Sequence, residues 1–246
     1  MKLQMTLIAA SVAMAMSGSA LADATQDHSG GNTNPHDSFQ DSRNTIDGMA
    51  GYNGNPGNAS ESFILQDGVS NDADVTQYGE QFSDIDQAGY SNYSKVVQDD
   101  EVGSTNGQGQ NESRIKQEGS DNYADVYQLG DRNDSHVEQD GLWGGGDDNS
   151  ATVVQDGDLN DSYIKQFGDN NWADVYQGGD ELDSDILQTG YGNDAQVVQT
   201  GYGHDSYIKQ FGSGNWASHT QSGQSQHFAE TRSYGHNNTA NVVQAP

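Results

Sequence analysis

Glutamine returns at a fixed interval through most of this chain of 246 residues. It stands at Gln66, Gln77, Gln87, Gln98, Gln117, Gln128, Gln139, Gln155, Gln166, Gln177, Gln188, Gln199, Gln210, Gln221 and Gln244, and most intervals are eleven residues. The flanking residues return with it, as in Asn160-x-Ser162-x-Ile164-x-Gln166-x-Gly168 followed by Asn171-x-Ala173-x-Val175-x-Gln177-x-Gly179. A short unit of this kind cannot bury an apolar face alone and must stack on its own copies.

One interval breaks the count. An extra residue in the turn after Gln221 places Ser233 in the glutamine slot, and the register then holds sixteen units. Four residues before the slot, every unit has Ser or Ala. Two before it, fourteen units have Ile or Val, the exceptions being His219 and Thr231. Six before it stand Asn71, Asn92, Asn111, Asn122, Asn133, Asn149, Asn160, Asn171, Asn193, Asn215 and Asn238, with Leu182, His204 and His227 replacing Asn in three other units. Gly follows two residues after the slot in every unit that continues, except where Asp100 stands.

Alternation at period two, a β-branched residue in each unit and a Gly-containing turn every eleven residues predict short strands joined by tight arcs. A helix is excluded, because alternate slots would not share one face and Gly would fall inside each helix. Units with Ser and Ile alternate with units carrying Ala and Val, so the true repeat is a pair of strands. The predicted fold is all-β, a two-sheet parallel β-solenoid of about eight two-strand rungs with cross-β, amyloid-like stacking, roughly 38 Å tall at ~4.8 Å per rung. Ile64, Val75, Ile85, Val96, Ile115, Val126, Val137, Val153, Ile164, Val175, Ile186, Val197, Ile208 and Val242 form its apolar core. The Asn and Gln residues named above are expected to line the core edges as an amide ladder, each bonded to its equivalent one rung away.

Composition alone points elsewhere. Leu, Ile, Val and Phe make up 38 of 246 residues, below the ~20% under which a highly charged chain is usually disordered. Periodicity answers this, because each apolar residue sits at the same depth in a repeating rung. A formal charge of -28 repels nucleic acid and anionic lipid. With no cysteine, disulfides, thiolate metal sites and Cys nucleophiles are excluded. The first 22 residues, with Lys2, an apolar run from Leu7 to Met16 and Ala20-Leu21-Ala22, predict a cleaved signal peptide. Residues 23–58 predict a disordered polar leader, a linker or a recognition segment for a secretion machine, and residues 59–246 the solenoid. No other segment predicts a membrane span.

The pairs Asn160, Gln166, Asn171, Gln177 and Asn111, Gln117, Asn122, Gln128 resemble the curlin repeat of bacterial curli subunits, over about residues 60–246. The resemblance implies a secreted structural subunit of extracellular amyloid fibres on the bacterial cell surface, acting in biofilm matrix and adhesion. It also implies that the chain is its own partner in a homopolymer, with a minor nucleator subunit, an outer-membrane secretion pore and accessory chaperones. A minor nucleator role and a monomeric solenoid that binds a surface remain alternatives. Two insertions, 99–110 and 140–149, depart from the family spacing and are read as bulges at turns.

No enzyme, cofactor or metal site is expected: the histidines are scattered, and no His, Ser and Asp grouping stands apart. The acidic turns at Asp147-Asp148 and Asp180-Glu181 lack a calcium-repeat pattern. Just before the slot, one sheet reads Leu65, Asp86, Lys116, Glu138, Lys165, Leu187, Lys209, Arg232, a charge-managed face. The other carries an uncharged stripe including Tyr127, Val154, Tyr176 and Val198, a candidate for lateral contact. Asp74, Asp125, Asp174 and Asp185 are expected to point outward as solvated gatekeepers.

Overall fold

A computed structural model describes residues 60–79, 81–99, 111–141 and 147–246. The expected signal peptide, the leader, residues 100–110 of the first insertion and residues 142–146 of the second lie outside the described residues.

The sixteen units form sixteen strands. One sheet holds β1 (Glu61–Val69), β3 (Phe82–Tyr90), β5 (Glu112–Ser120), β7 (Asp134–Asp140), β9 (Asp161–Asp169), β11 (Asp183–Tyr191), β13 (Asp205–Ser213) and β15 (Phe228–His236), paired in that order. The other holds β2 (Asp72–Gln77), β4 (Tyr93–Asp99), β6 (Tyr123–Leu129), β8 (Ser150–Asp156), β10 (Trp172–Asp180), β12 (Asp194–Tyr202), β14 (Trp216–Gly223) and β16 (Thr239–Gln244). Every pairing is parallel and in register, with Ile64 opposite Ile85 and Gln177 opposite Gln199. The architecture is the β-solenoid of about eight turns that the repeat predicts. The Ser233 register also holds, since Gln210 pairs with Ser233.

Each arc needs backbone that strands do not supply. Gly89 sits at φ 126, and a Cβ there would collide with the carbonyl oxygen of Gly119 one rung on. Only glycine accepts both conditions. Two residues later Ser91 takes a left-handed φ of 55 and donates its N–H to Val69 O at 2.9 Å, so the arcs stack as the strands do. Near the end of the second insertion Asp147 and Asp148 rejoin the stack, and the N–H of Asp148 reaches Ser120 O at 3.2 Å.

Between the sheets, Ile85, Val96, Ile115, Val126, Val137, Val153, Ile164, Val175, Ile186, Val197 and Ile208 are fully buried together with Ala124, Ala151, Ala173, Ala195 and Ala217. The terminal rungs differ. Ile64 is 48% exposed, and Val75 and Val242 are half-buried, because β1/β2 and β15/β16 have a neighbour on one side only among the described residues.

The outer face of the odd sheet is more enclosed than strand alternation suggests. Asp185 and Leu187 are buried, which corrects the expectation of a solvated gatekeeper at Asp185. In-register side chains at the rung spacing pack on one another there: Leu187 and Tyr163 cluster with Tyr207, His136 meets Tyr163 edge-on at 5.0 Å, and Lys165 pairs with Glu138 at 2.8 Å.

Candidate functional site

The glutamines form two columns. In the odd sheet Nε2 donates to the Oε1 of the next rung from Gln66 to Gln87 (2.8 Å), Gln87 to Gln117 (2.9 Å), Gln117 to Gln139 (2.9 Å), Gln139 to Gln166 (2.8 Å), Gln166 to Gln188 (2.9 Å) and Gln188 to Gln210 (2.9 Å). In the even sheet the chain of bonds runs through Gln77, Gln98, Gln128, Gln155, Gln177, Gln199, Gln221 and Gln244. The second amide proton crosses to the opposing sheet, as from Gln117 to Tyr93 O and from Gln177 to Asp161 O. Burying an amide is costly unless its polar atoms are bonded, and here the interior amides bond both along the column and across it.

Asparagine does the same work at the arcs. Asn71, Asn92, Asn122, Asn149, Asn171, Asn193, Asn215 and Asn238 form an unbroken column in which each Oδ1 receives the backbone N–H of the next, for example Asn122 N–H to Asn92 at 3.1 Å. The other column runs through Gln81, Asn111, Asn133 and Asn160, whose Oδ1 accepts from the backbone N–H of Leu182. Leu182 has no side-chain acceptor, so the column stops there. His204 then stacks on His227 at 5.0 Å and its Nδ1 accepts the His227 N–H at 3.3 Å.

Two features of the core were not legible in the pattern of Ser and Ala. Ser94 bridges neighbouring rungs, receiving an amide proton from Gln87 at 3.0 Å and donating to Gln117 Oε1 at 2.7 Å, whereas the buried hydroxyls of Ser83, Ser113, Ser135, Ser162 and Ser184 have no partner. His219, in an Ile/Val slot, is held between Ser206 Oγ and Thr231 Oγ1, each at 2.8 Å. Burial pushes its imidazole down to about 4, so it is neutral at ordinary pH.

Among the described residues, the rungs at both ends of the stack have an open edge. Gln66 and Asn238 are exposed and Gln244 is half-buried, while the glutamines of the inner rungs are fully buried. Every glutamine-to-glutamine bond runs from the first rung toward the last, which gives the columns a polarity. On the outer face of the even sheet, Tyr127 and Tyr176 are each 39% exposed, with Val154 and Val198 partly buried between and beyond them. The same face carries Tyr93, Tyr123 and Trp172 in the column five residues before the glutamines, which the sequence reading did not single out; reading that outward column alone would have found them. Among the described residues, no group of three or more His, Asp or Glu is placed to hold a metal ion, and no helix is long and apolar enough to cross a membrane.

The model of the curlin associated repeat matches residues 111–141, 146–179, 168–201 and 192–223. No curated protein matches the chain. The matched segments fall on β5 to β14, the stretch where both glutamine columns and the Ile/Val core run through successive rungs. Repeat, register and family model agree over that stretch: this is a protein of curlin repeats.

Proposed function

We propose that this curli-type structural protein is a secreted fibre subunit that polymerises end to end, each copy adding its rungs to those of the last. The observation that carries the reading is the pair of open terminal rungs. Ile64, Gln66 and Gln244 are exposed or half-exposed in the single chain, yet occupy slots that every inner rung buries. Unpaired strand edges template further strands. Because all strands are parallel and every glutamine-to-glutamine bond runs one way, a second copy continues the pattern only head to tail, with β15/β16 of one against β1/β2 of the next. Such a heterologous contact does not close and gives an open filament. The buried core amides and few apolar side chains leave the single chain marginal until an end receives it.

Recognition of a secretion pore by the leader, and deposition in biofilm matrix, go with this reading. The evenness of the rungs favours the principal subunit over a nucleator, and the lack of a distinct terminal cap among the described residues favours a fibre over a monomeric surface-binding solenoid. Seeded elongation tests the proposal. Preformed fibres should recruit the parent chain, and the double variant Gln66→Ala with Gln244→Ala should elongate markedly more slowly. Unchanged elongation in that variant sinks the end-to-end account, and failure of the parent to form fibres sinks the subunit reading.

A further inference from the structure

Tyr93 in β4 and Tyr123 in β6 are register partners on the outer face of the even sheet. Their rings stack with centroids 5.1 Å apart and planes inclined by 11°. Tyr123 is 40% exposed, so a soluble oxidant reaches the pair. Its hydroxyl donates to Asp125 Oδ2 at 3.3 Å. Elsewhere among the described residues, strand register sets tyrosines against other side chains: Tyr127 against Val97 and Val154, Tyr163 against His136 and Asp185, Tyr176 against Val154 and Val198.

We propose that Tyr93 and Tyr123 form an oxidative cross-linking site, joined as dityrosine by a peroxidase-type oxidant with hydrogen peroxide. Each phenol loses one electron and its hydroxyl proton; at Tyr123 the proton passes to the Asp125 carboxylate as the electron leaves. The two phenoxyl radicals couple through a carbon–carbon bond between ring positions ortho to the oxygens. The two hydrogens on those carbons move to the oxygens, restoring both phenols. The pair has then lost two hydrogen atoms in all, and one hydrogen peroxide has become two waters. Stacked neighbours on adjacent strands favour this coupling because the radicals are already held side by side. The bond ties the second rung to the third, on either side of the insertion that interrupts the repeat between Gln98 and Gln117. This inference rests on the fold and stands whether or not the chain polymerises.

The test oxidises the folded protein with horseradish peroxidase and hydrogen peroxide, then reads dityrosine fluorescence. After dissolution and trypsin digestion, mass spectrometry should find peptide 44–95 joined to peptide 117–132 with loss of two hydrogens. Tyr93→Phe and Tyr123→Phe keep the ring stack and should each abolish that product, while Tyr127→Phe should leave it intact. A mixture of isotope-labelled and unlabelled protein should give links within one chain. Persistence of the signal in Tyr93→Phe, or links chiefly between chains or at other tyrosines, overturns the proposal.

Discussion

Gln210 stands opposite Ser233, where each earlier glutamine of its column stands opposite another glutamine. The odd column therefore ends one rung short of its sheet, while the even column continues to Gln244. Ser233→Gln should add an amide bond to Gln210 and present a second donor at the growing end. A hydrogen bond of this kind contributes about 0.5–1.5 kcal/mol net, so the critical concentration for assembly should fall roughly 2- to 10-fold. Sedimentation of fibres at equilibrium measures it, and a rise would show that the column does not extend across the end.

Two serines that look alike in sequence should respond oppositely. Ser94 joins two glutamines of adjacent rungs, so Ser94→Ala should cost about 1 kcal/mol. The hydroxyl of Ser162 is buried with no partner, so Ser162→Ala should be neutral or stabilising by up to ~1 kcal/mol. Guanidinium dissolution midpoints of the two variants against the parent decide it.

Position within the stack should set the cost of a core truncation. Ile164 is fully buried, and Ile164→Ala should cost about 2–5 kcal/mol. Ile64 is 48% exposed in the single chain, so Ile64→Ala should cost well under half as much in monomer. If the first rung is covered by another copy in the fibre, the two costs should converge there. Denaturation of monomer and fibre side by side compares them.

Acid should loosen the last two rungs. His219 titrates near 6.5 when unfolded but is pushed down to about 4 by burial. The unfolded chain thus takes up a proton first, so the stability contribution is complete above pH ~6.5 and is lost as pH falls toward 4, by about 3 kcal/mol. His136, lowered to about 3, and His204, also lowered, act with the same sign. The diagnostic quantity is therefore the difference between the parent and His219→Gln, whose profile should be flatter between pH 6.5 and 4. The inward neighbours of His219 on the strands packed against it, Val197, Val242, Ser206 and Thr231, do not titrate in that range.

The even sheet's outer stripe should govern bundling without governing growth. Lysine at Tyr127 and Tyr176 places charge on a face that is otherwise uncharged in that column. Electron microscopy should show single filaments in place of bundles, with seeded elongation unchanged. Intact bundles would assign lateral contact to another face.

The period of eleven, the Ser/Ile and Ala/Val alternation and the Gly after each slot determined the strand count, the pairing of like with like and the inward face. These follow from local chemistry repeated at fixed spacing, and side-chain alternation needs no tertiary information. Three things were decided only by the stacked fold. Whether a serine hydroxyl finds a partner depends on the rungs above and below it, as Ser94 and Ser162 show. Burial of the outward-facing Asp185 and Leu187 depends on packing across rungs, which alternation along one strand does not record. The stacking of Tyr93 on Tyr123 joins residues on either side of an insertion, and only the register of β4 on β6 places them together. A repeating sequence specifies the rung, while differences between rungs acquire their meaning from whichever neighbour the stack sets beside them.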